Sequence, residues 1–145
     1  MCSSDLFDLV SALSDYCKLA AGRHRLEVRF NRTGRERSVG PESALALFRV
    51  LQESLTNVAK HCGRGTEVDV ALSFDAGRAA LCVQDQGPGF LLPTDSSELA
   101  RKGHFGLENM RERAAKVGGT IQLSSAPGRG TRIELTVHAG EEQAR

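Results

Sequence analysis

The chain has 145 residues, 40% of them apolar, which is enough for one domain with a real core. Charge is nearly balanced, with 19 basic and 18 acidic residues, so nothing electrostatic points to DNA, RNA or an anionic membrane as partner. The longest apolar runs fall far short of the ~18 residues needed to cross a bilayer, and no charged-then-apolar leader opens the chain.

In chain order, Leu6, Leu9, Val10, Leu13 and Cys17 recur at helical spacing, predicting a helix over about 5–20 that ends at Gly22. Leu26, Val28 and Phe30 then alternate with polar residues as on a half-buried strand. Asn31-Arg-Thr-Gly34 reads as a hairpin turn, with Arg35–Val39 as the returning strand. Gly40-Pro41 opens a second helix, proline being suited to the first helical position. Along it Ala44, Leu47, Phe48, Leu51, Leu55, Val58 and Cys62 form one apolar stripe, and Gly63 and Gly65 stop it. Val68, Val70, Leu72 and Phe74 mark a strand, Asp75-Ala-Gly77 a turn, and Ala79–Asp85 the strand that follows.

Residues 86–103 form a long polar connection, of a length more often functional than idle. A helix over about 107–117 ends at Gly118-Gly119. Ile121 and Leu123 mark one strand, Ala126-Pro-Gly-Arg-Gly130 a turn, and Ile133, Leu135 and Val137 the last strand. The tail, 140–145, is expected to be disordered. Strands arriving as hairpins between helices predict an α+β two-layer sandwich: a mixed, mostly antiparallel sheet with helices on one face.

Cys2, Cys17, Cys62 and Cys82 form no C-x-x-C pair and have no histidine at zinc-ligand spacing; scattered thiols fit a reducing compartment, and Cys62 and Cys82 read as small buried hydrophobes.

Four places carry residues capable of chemistry. Glu53, Asn57, Lys60 and His61 lie on the second helix, the first three on the side opposite its apolar stripe. Alone, this pattern suits an ordinary solvated face. The same set also offers an amide oxygen for Mg²⁺, a carboxylate able to orient or deprotonate a nucleophile, and an amine for phosphate. Asp85 shares strand parity with Leu81 and Val83, so its carboxylate emerges on the core side, at the head of Asp85-Gln-Gly-Pro-Gly89. A carboxylate there needs partners and could accept from the amino group of a base; an ordinary turn is the plainer alternative. Gly103-His104-Phe-Gly106-Leu107 opens a helix, where free N–H groups and the helix dipole favour an anion. Thr131, in Gly128-Arg-Gly-Thr131, shares parity with Ile133 and faces inward. There is no G-x-x-x-x-G-K-[ST] loop and no G-x-S-x-G elbow.

Taken together and in this order, these stretches resemble the GHKL superfamily of gyrase-type, chaperone, histidine-kinase and mismatch-repair ATPases, whose nucleotide-binding domain has the Bergerat fold. Leu51-Gln-Glu-Ser-Leu-Thr-Asn-Val-Ala-Lys-His61 resembles its N box, Asp85–Gly89 its first glycine box, Gly103–Gly106 its second, and Gly130-Thr131 its closing pair. Gly106-Leu-Glu-Asn-Met-Arg-Glu-Arg-Ala114 resembles the histidine kinases that pair with response regulators bearing LuxR-type DNA-binding domains. The likeness runs from Pro41 to His138. It implies ATP and Mg²⁺ as ligands, with Asn57 on the metal, Asp85 on the adenine amino group and Gly87 and Gly89 letting the loop close. Gly103, His104, Gly106 and Leu107 would lie near the phosphates, Lys60 and His61 beside them, and Thr131 at the adenine end. Glu53 would act as base or polarise the acceptor, and 90–102 would form a lid.

Two features depart from the pattern. Asn109 stands where relatives often carry glycine. None of His24, His61, His104 and His138 is followed by an acidic residue, as a phosphoacceptor histidine usually is. The expectation is therefore a catalytic piece: an N-terminal helix over 1–22 that could continue from a dimerisation module, an ATP-binding domain over 23–139 and a tail over 140–145. Its partners would be a dimerisation domain bearing the acceptor histidine and a response regulator, with no direct nucleic acid and no membrane contact from this segment. A cytoplasmic location follows for the segment, whether or not the full-length protein is membrane-anchored. The competing readings are a serine kinase of the anti-sigma-factor type and a degenerate, non-catalytic module of the same fold.

Overall fold

The computed structural model describes residues 9–87 and 105–140. Helix α1 spans Leu9–His24, strand β1 Glu27–Thr33, helix α2 Pro41–His61, strands β2 Glu67–Asp75 and β3 Arg78–Asp85, helix α3 Phe105–Lys116, and strands β4 Thr120–Ser125 and β5 Thr131–His138. The strands form one sheet in the order β1-β2-β3-β5-β4. β1 and β2 run parallel; every other pair is antiparallel.

Strand parity decides which side of the sheet the helices cover. Val68, Val70, Leu72 and Phe74 on β2, Ala79, Leu81 and Val83 on β3, and Ile133, Leu135 and Val137 on β5 are buried, while their neighbours are not. These apolar positions join Leu9, Leu13, Cys17 and Ala20 of α1, the buried face of α2, and Met110 and Ala114 of α3 in one core. The expected two-layer architecture, helices on one face of a mostly antiparallel sheet, is what the chain forms.

α2 is the central helix. Its predicted stripe is buried through Leu47, Leu51, Leu55 and Val58, but Ala46, Val50 and Ser54 are buried as well. They widen the buried face because α2 has a helix on either flank. Tyr16 of α1 meets Phe48 edge-on with ring centroids 5.4 Å apart, and Ser54 Oγ lies 3.9 Å from Met110 Sδ of α3. Truncating a fully buried leucine such as Leu51 to alanine is expected to cost about 2–5 kcal/mol.

Three local expectations are corrected. The sequence Asn31–Gly34 is not a hairpin turn, and 35–39 is not a strand. β1 continues through Thr33 and pairs parallel with β2, Arg29 beside Asp69, so the whole of α2 is the connection between them. Gly34, at φ +83°, instead passes against the backbone of Phe74, where a Cβ would overlap the Phe74 carbonyl oxygen. Second, α1 does not stop at Gly22; it runs to His24, and Arg25 takes the left-handed conformation (φ 57°) that a terminal glycine would favour. Third, Cys82 belongs to the parity opposite the core and is half-buried on the open face of the sheet.

Candidate functional site

The end of β3 brings the C-terminus of α2 and the start of β5 together around one carboxylate. Asp85 is the last residue of β3 and is buried at 5% exposure, as its parity with Leu81 and Val83 predicts. The charge is not left bare. Gly87 N–H donates to Oδ1 at 2.8 Å and Thr131 N–H donates to the same oxygen at 3.2 Å. Among the described residues no donor reaches Oδ2. One carboxylate oxygen is thus fixed by backbone, and the other has no donor among the described residues.

Two glycines make this approach possible. Gly130, at φ +73°, lies so close to Asp85 that a Cβ would overlap the Asp85 carbonyl oxygen. Gly87 lies against Cys62, and a Cβ there would overlap the sulfur. Cys62 caps α2, its N–H donating to the Val58 carbonyl at 2.8 Å. Its Sγ stands 3.9 Å from Asp85 Oδ1, and burial, with Asp85's charge second, pushes the thiol up to about 11.

Thr131 reaches Asp85 through its backbone. Its hydroxyl pairs with Ser125 Oγ at 2.9 Å, and Ser125 Oγ also donates to the Gly130 carbonyl at 3.1 Å. Ser125 and Thr131 are register partners across the β4–β5 hairpin. Neither Ser125 nor Cys62 is among the residues singled out from the sequence as binding groups. The pairing across the 126–130 turn was a usable signal for Ser125. Cys62 is 23 residues from Asp85, and no spacing rule brings them together.

The other candidate side chains lie on α2. Glu53 and Asn57 are half-buried on consecutive turns, and Lys60 and His61 are exposed in its last turn. This set is neither buried in the core nor fully in water. Gly106 and Leu107 lie in the first turn of α3, with side chains outside the described residues; Gly89, Gly103, His104 and the expected lid lie outside them altogether. Among the described residues no three His, Cys, Asp or Glu side chains converge as a metal cage. A magnesium ion held by phosphate oxygens, water and one amide oxygen such as that of Asn57 needs no such cage.

Residues 42–141 match the family described as "Histidine kinase-, DNA gyrase B-, and HSP90-like ATPase". The sensor protein VraS of Staphylococcus epidermidis is 37% identical over 97 residues, covering 67% of this chain and 26% of that protein. VraS of Staphylococcus aureus is 37% identical over 98 residues, covering 68% and 26%. The chain thus spans about a quarter of the length of these relatives. Among solved structures, the histidine kinase domain of the blue-light activated kinase of Erythrobacter litoralis superposes with a TM-score of 0.71 at 19% identity, over 90% of this chain and 61% of that one. The catalytic domain of the histidine kinase ThkA gives 0.68 at 14% identity, over 94% and 95%. At these identities the structural likeness establishes the fold.

Proposed function

The chain belongs to the histidine kinase-, DNA gyrase B- and HSP90-like ATPase family, and from that membership we propose that it is the ATP-binding catalytic domain of a two-component sensor histidine kinase. The likeness to VraS over 97 residues supports the sensor-kinase assignment. The Gly106–Ala114 stretch supports the branch that pairs with LuxR-type response regulators.

The observation that carries the reading is the half-satisfied carboxylate. Asp85 is buried, its Oδ1 is held by two backbone N–H groups, and Oδ2 is left to accept the 6-amino group of adenine. A buried acceptor of this kind discriminates strongly, because a ligand lacking the donor leaves it unpaired. Thr131, Gly87 and the Ser125 hydroxyl hold that end of the site.

Phosphoryl transfer needs positioning and charge neutralisation more than covalent help. Asn57 would hold Mg²⁺, which supplies neutralisation of the phosphates when bound. Lys60 and His61, in the same last turns of α2, would face the phosphate side, and the resemblance assigns Gly103, His104, Gly106 and Leu107 to the phosphates as well. Glu53, one turn from Asn57, would orient the acceptor histidine of a dimerisation domain and take its proton. The phosphoryl group would then pass to a response regulator.

Calorimetric titration of the purified chain with a non-hydrolysable ATP analogue, with and without Mg²⁺, tests the reading. Magnesium-enhanced binding is expected. No binding in either condition would overturn it in favour of a non-catalytic module.

A further inference from the structure

Cys62 has no role in the proposed chemistry, yet it touches both elements that define the adenine end. Its sulfur lies 3.9 Å from Asp85 Oδ1, the oxygen that already carries the Gly87 and Thr131 N–H groups. The same sulfur occupies the volume that a Cβ on Gly87 would need. The side chain projects from the residue capping α2, the helix that carries Glu53 and Asn57. It therefore fills the junction of three segments: the end of α2, the end of β3 and the turn at Gly87.

At 3.9 Å an S–H···O contact is weak, so hydrogen bonding is the lesser part of what the thiol does. Its volume is the greater part. A sulfur 3.9 Å from Oδ1 leaves no room for a water molecule between the two atoms, so the two backbone donors set the plane of the carboxylate. A smaller side chain would open room beside a charged oxygen, and a polar site with partners is where water enters. A hydrated Oδ1 would no longer be constrained to point Oδ2 in one direction.

We propose that Cys62 is a positioning residue for adenine recognition, acting through Asp85: by filling the space beside Oδ1 and Gly87 it fixes the carboxylate so that Oδ2 alone meets the base. The inference rests on the adenine role proposed for Asp85. It goes beyond that role in assigning part of the base specificity to a side chain that never touches the nucleotide. The raised thiol agrees with a sulfur packed in that space and kept uncharged.

The test compares affinities of the full chain for ATP and for purine riboside triphosphate, which lacks the 6-amino group, in wild type, Cys62→Ala and Cys62→Ser. Wild type is expected to prefer ATP by tenfold or more. Cys62→Ala should lower that preference at least threefold, while the near-isosteric Cys62→Ser restores most of it. A merely structural role would weaken both nucleotides together and leave their ratio unchanged. An unchanged ratio in Cys62→Ala, with wild type still preferring ATP, would overturn the positioning role alone. A wild type indifferent to the 6-amino group would overturn the adenine assignment of Asp85, and this inference with it.

Discussion

Thr131 and Asp85 are 46 residues apart in sequence, and the N–H of one donates to the carboxylate of the other at 3.2 Å. The contact sits just beyond the β3–β5 ladder, whose last register pair is Gln84 with Arg132. It extends the sheet by one side-chain rung and ties the candidate base-recognition group to the β4–β5 hairpin. Asp85→Ala removes the acceptor for Thr131 and Gly87 together as well as the proposed acceptor for adenine. We expect nucleotide affinity to fall by 30-fold or more, from loss of a charged hydrogen bond worth about 2–3 kcal/mol. Calorimetry on a variant shown by circular dichroism to be folded would check this; equal affinity would refute the adenine assignment.

The α2 face should separate binding from transfer. Glu53→Gln keeps the side-chain shape and is expected to leave ATP affinity within about twofold while abolishing phosphorylation of a dimerisation domain supplied in trans. Asn57→Ala should instead remove the magnesium-dependent increment in affinity. If Glu53→Gln transferred phosphate at the wild-type rate, the role given to that carboxylate would be wrong.

Gly130 should resist any side chain. Its φ of +73° disfavours L-residues, and a Cβ would overlap the Asp85 carbonyl oxygen. Gly130→Ala is expected to lower stability by about 2 kcal/mol or more, measured by urea unfolding, and to weaken nucleotide binding in the fraction that folds.

The β2–β3 turn can be improved. Ala76 and Gly77 both have positive φ, 51° and 76°, between the register partners Asp75 and Arg78. That is the geometry that favours Asn-Gly. Ala76→Asn should raise the melting temperature by about 2–5 °C, consistent with relief of up to ~1 kcal/mol of strain.

Alkaline pH should destabilise the fold through its thiols. Burial pushes Cys17 from its ordinary value near 9.0 to about 12 and Cys62 to about 11. The unfolded chain therefore releases these protons first. Their contribution is complete below about pH 9 and is lost as pH rises from 9 towards 11 and 12. Melting temperature against pH should fall more steeply across this window in wild type than in Cys17→Ala. Unfolding free energies from urea titrations at each pH make the same comparison free of the variant's smaller unfolding enthalpy.

The sequence made the helices and the β2–β3 and β4–β5 hairpins readable because each announces itself locally, by an apolar period or by a turn of the right composition. Asp85 was readable for the same reason: parity along a single strand put its carboxylate on the core side. The failures involve partners distant in sequence. Asn31–Gly34 has the composition of a hairpin turn, yet β1 pairs with a strand that begins more than thirty residues on, and no local rule reports that. The outward-facing Cys82 was misplaced by composition, although the parity that placed Asp85 would have placed it too. Cys62 beside Asp85 is visible only once three elements have come together.

The parallel pairing of β1 with β2 also constrains the order of assembly. The β2–β3 and β4–β5 hairpins can close over turns of a few residues. β1 can pair with β2 only across the 34–66 connection that contains α2, because a parallel pair cannot close over a tight turn. Contacts that span so much chain slow folding, and until they form, Val28 and Phe30 have no strand to pair with. The edge of the sheet that comes first in the sequence is thus expected to form later than the hairpins. A chain held at that stage with its hairpins closed would expose the outer edge of β2, the kind of open edge at which copies of a protein associate.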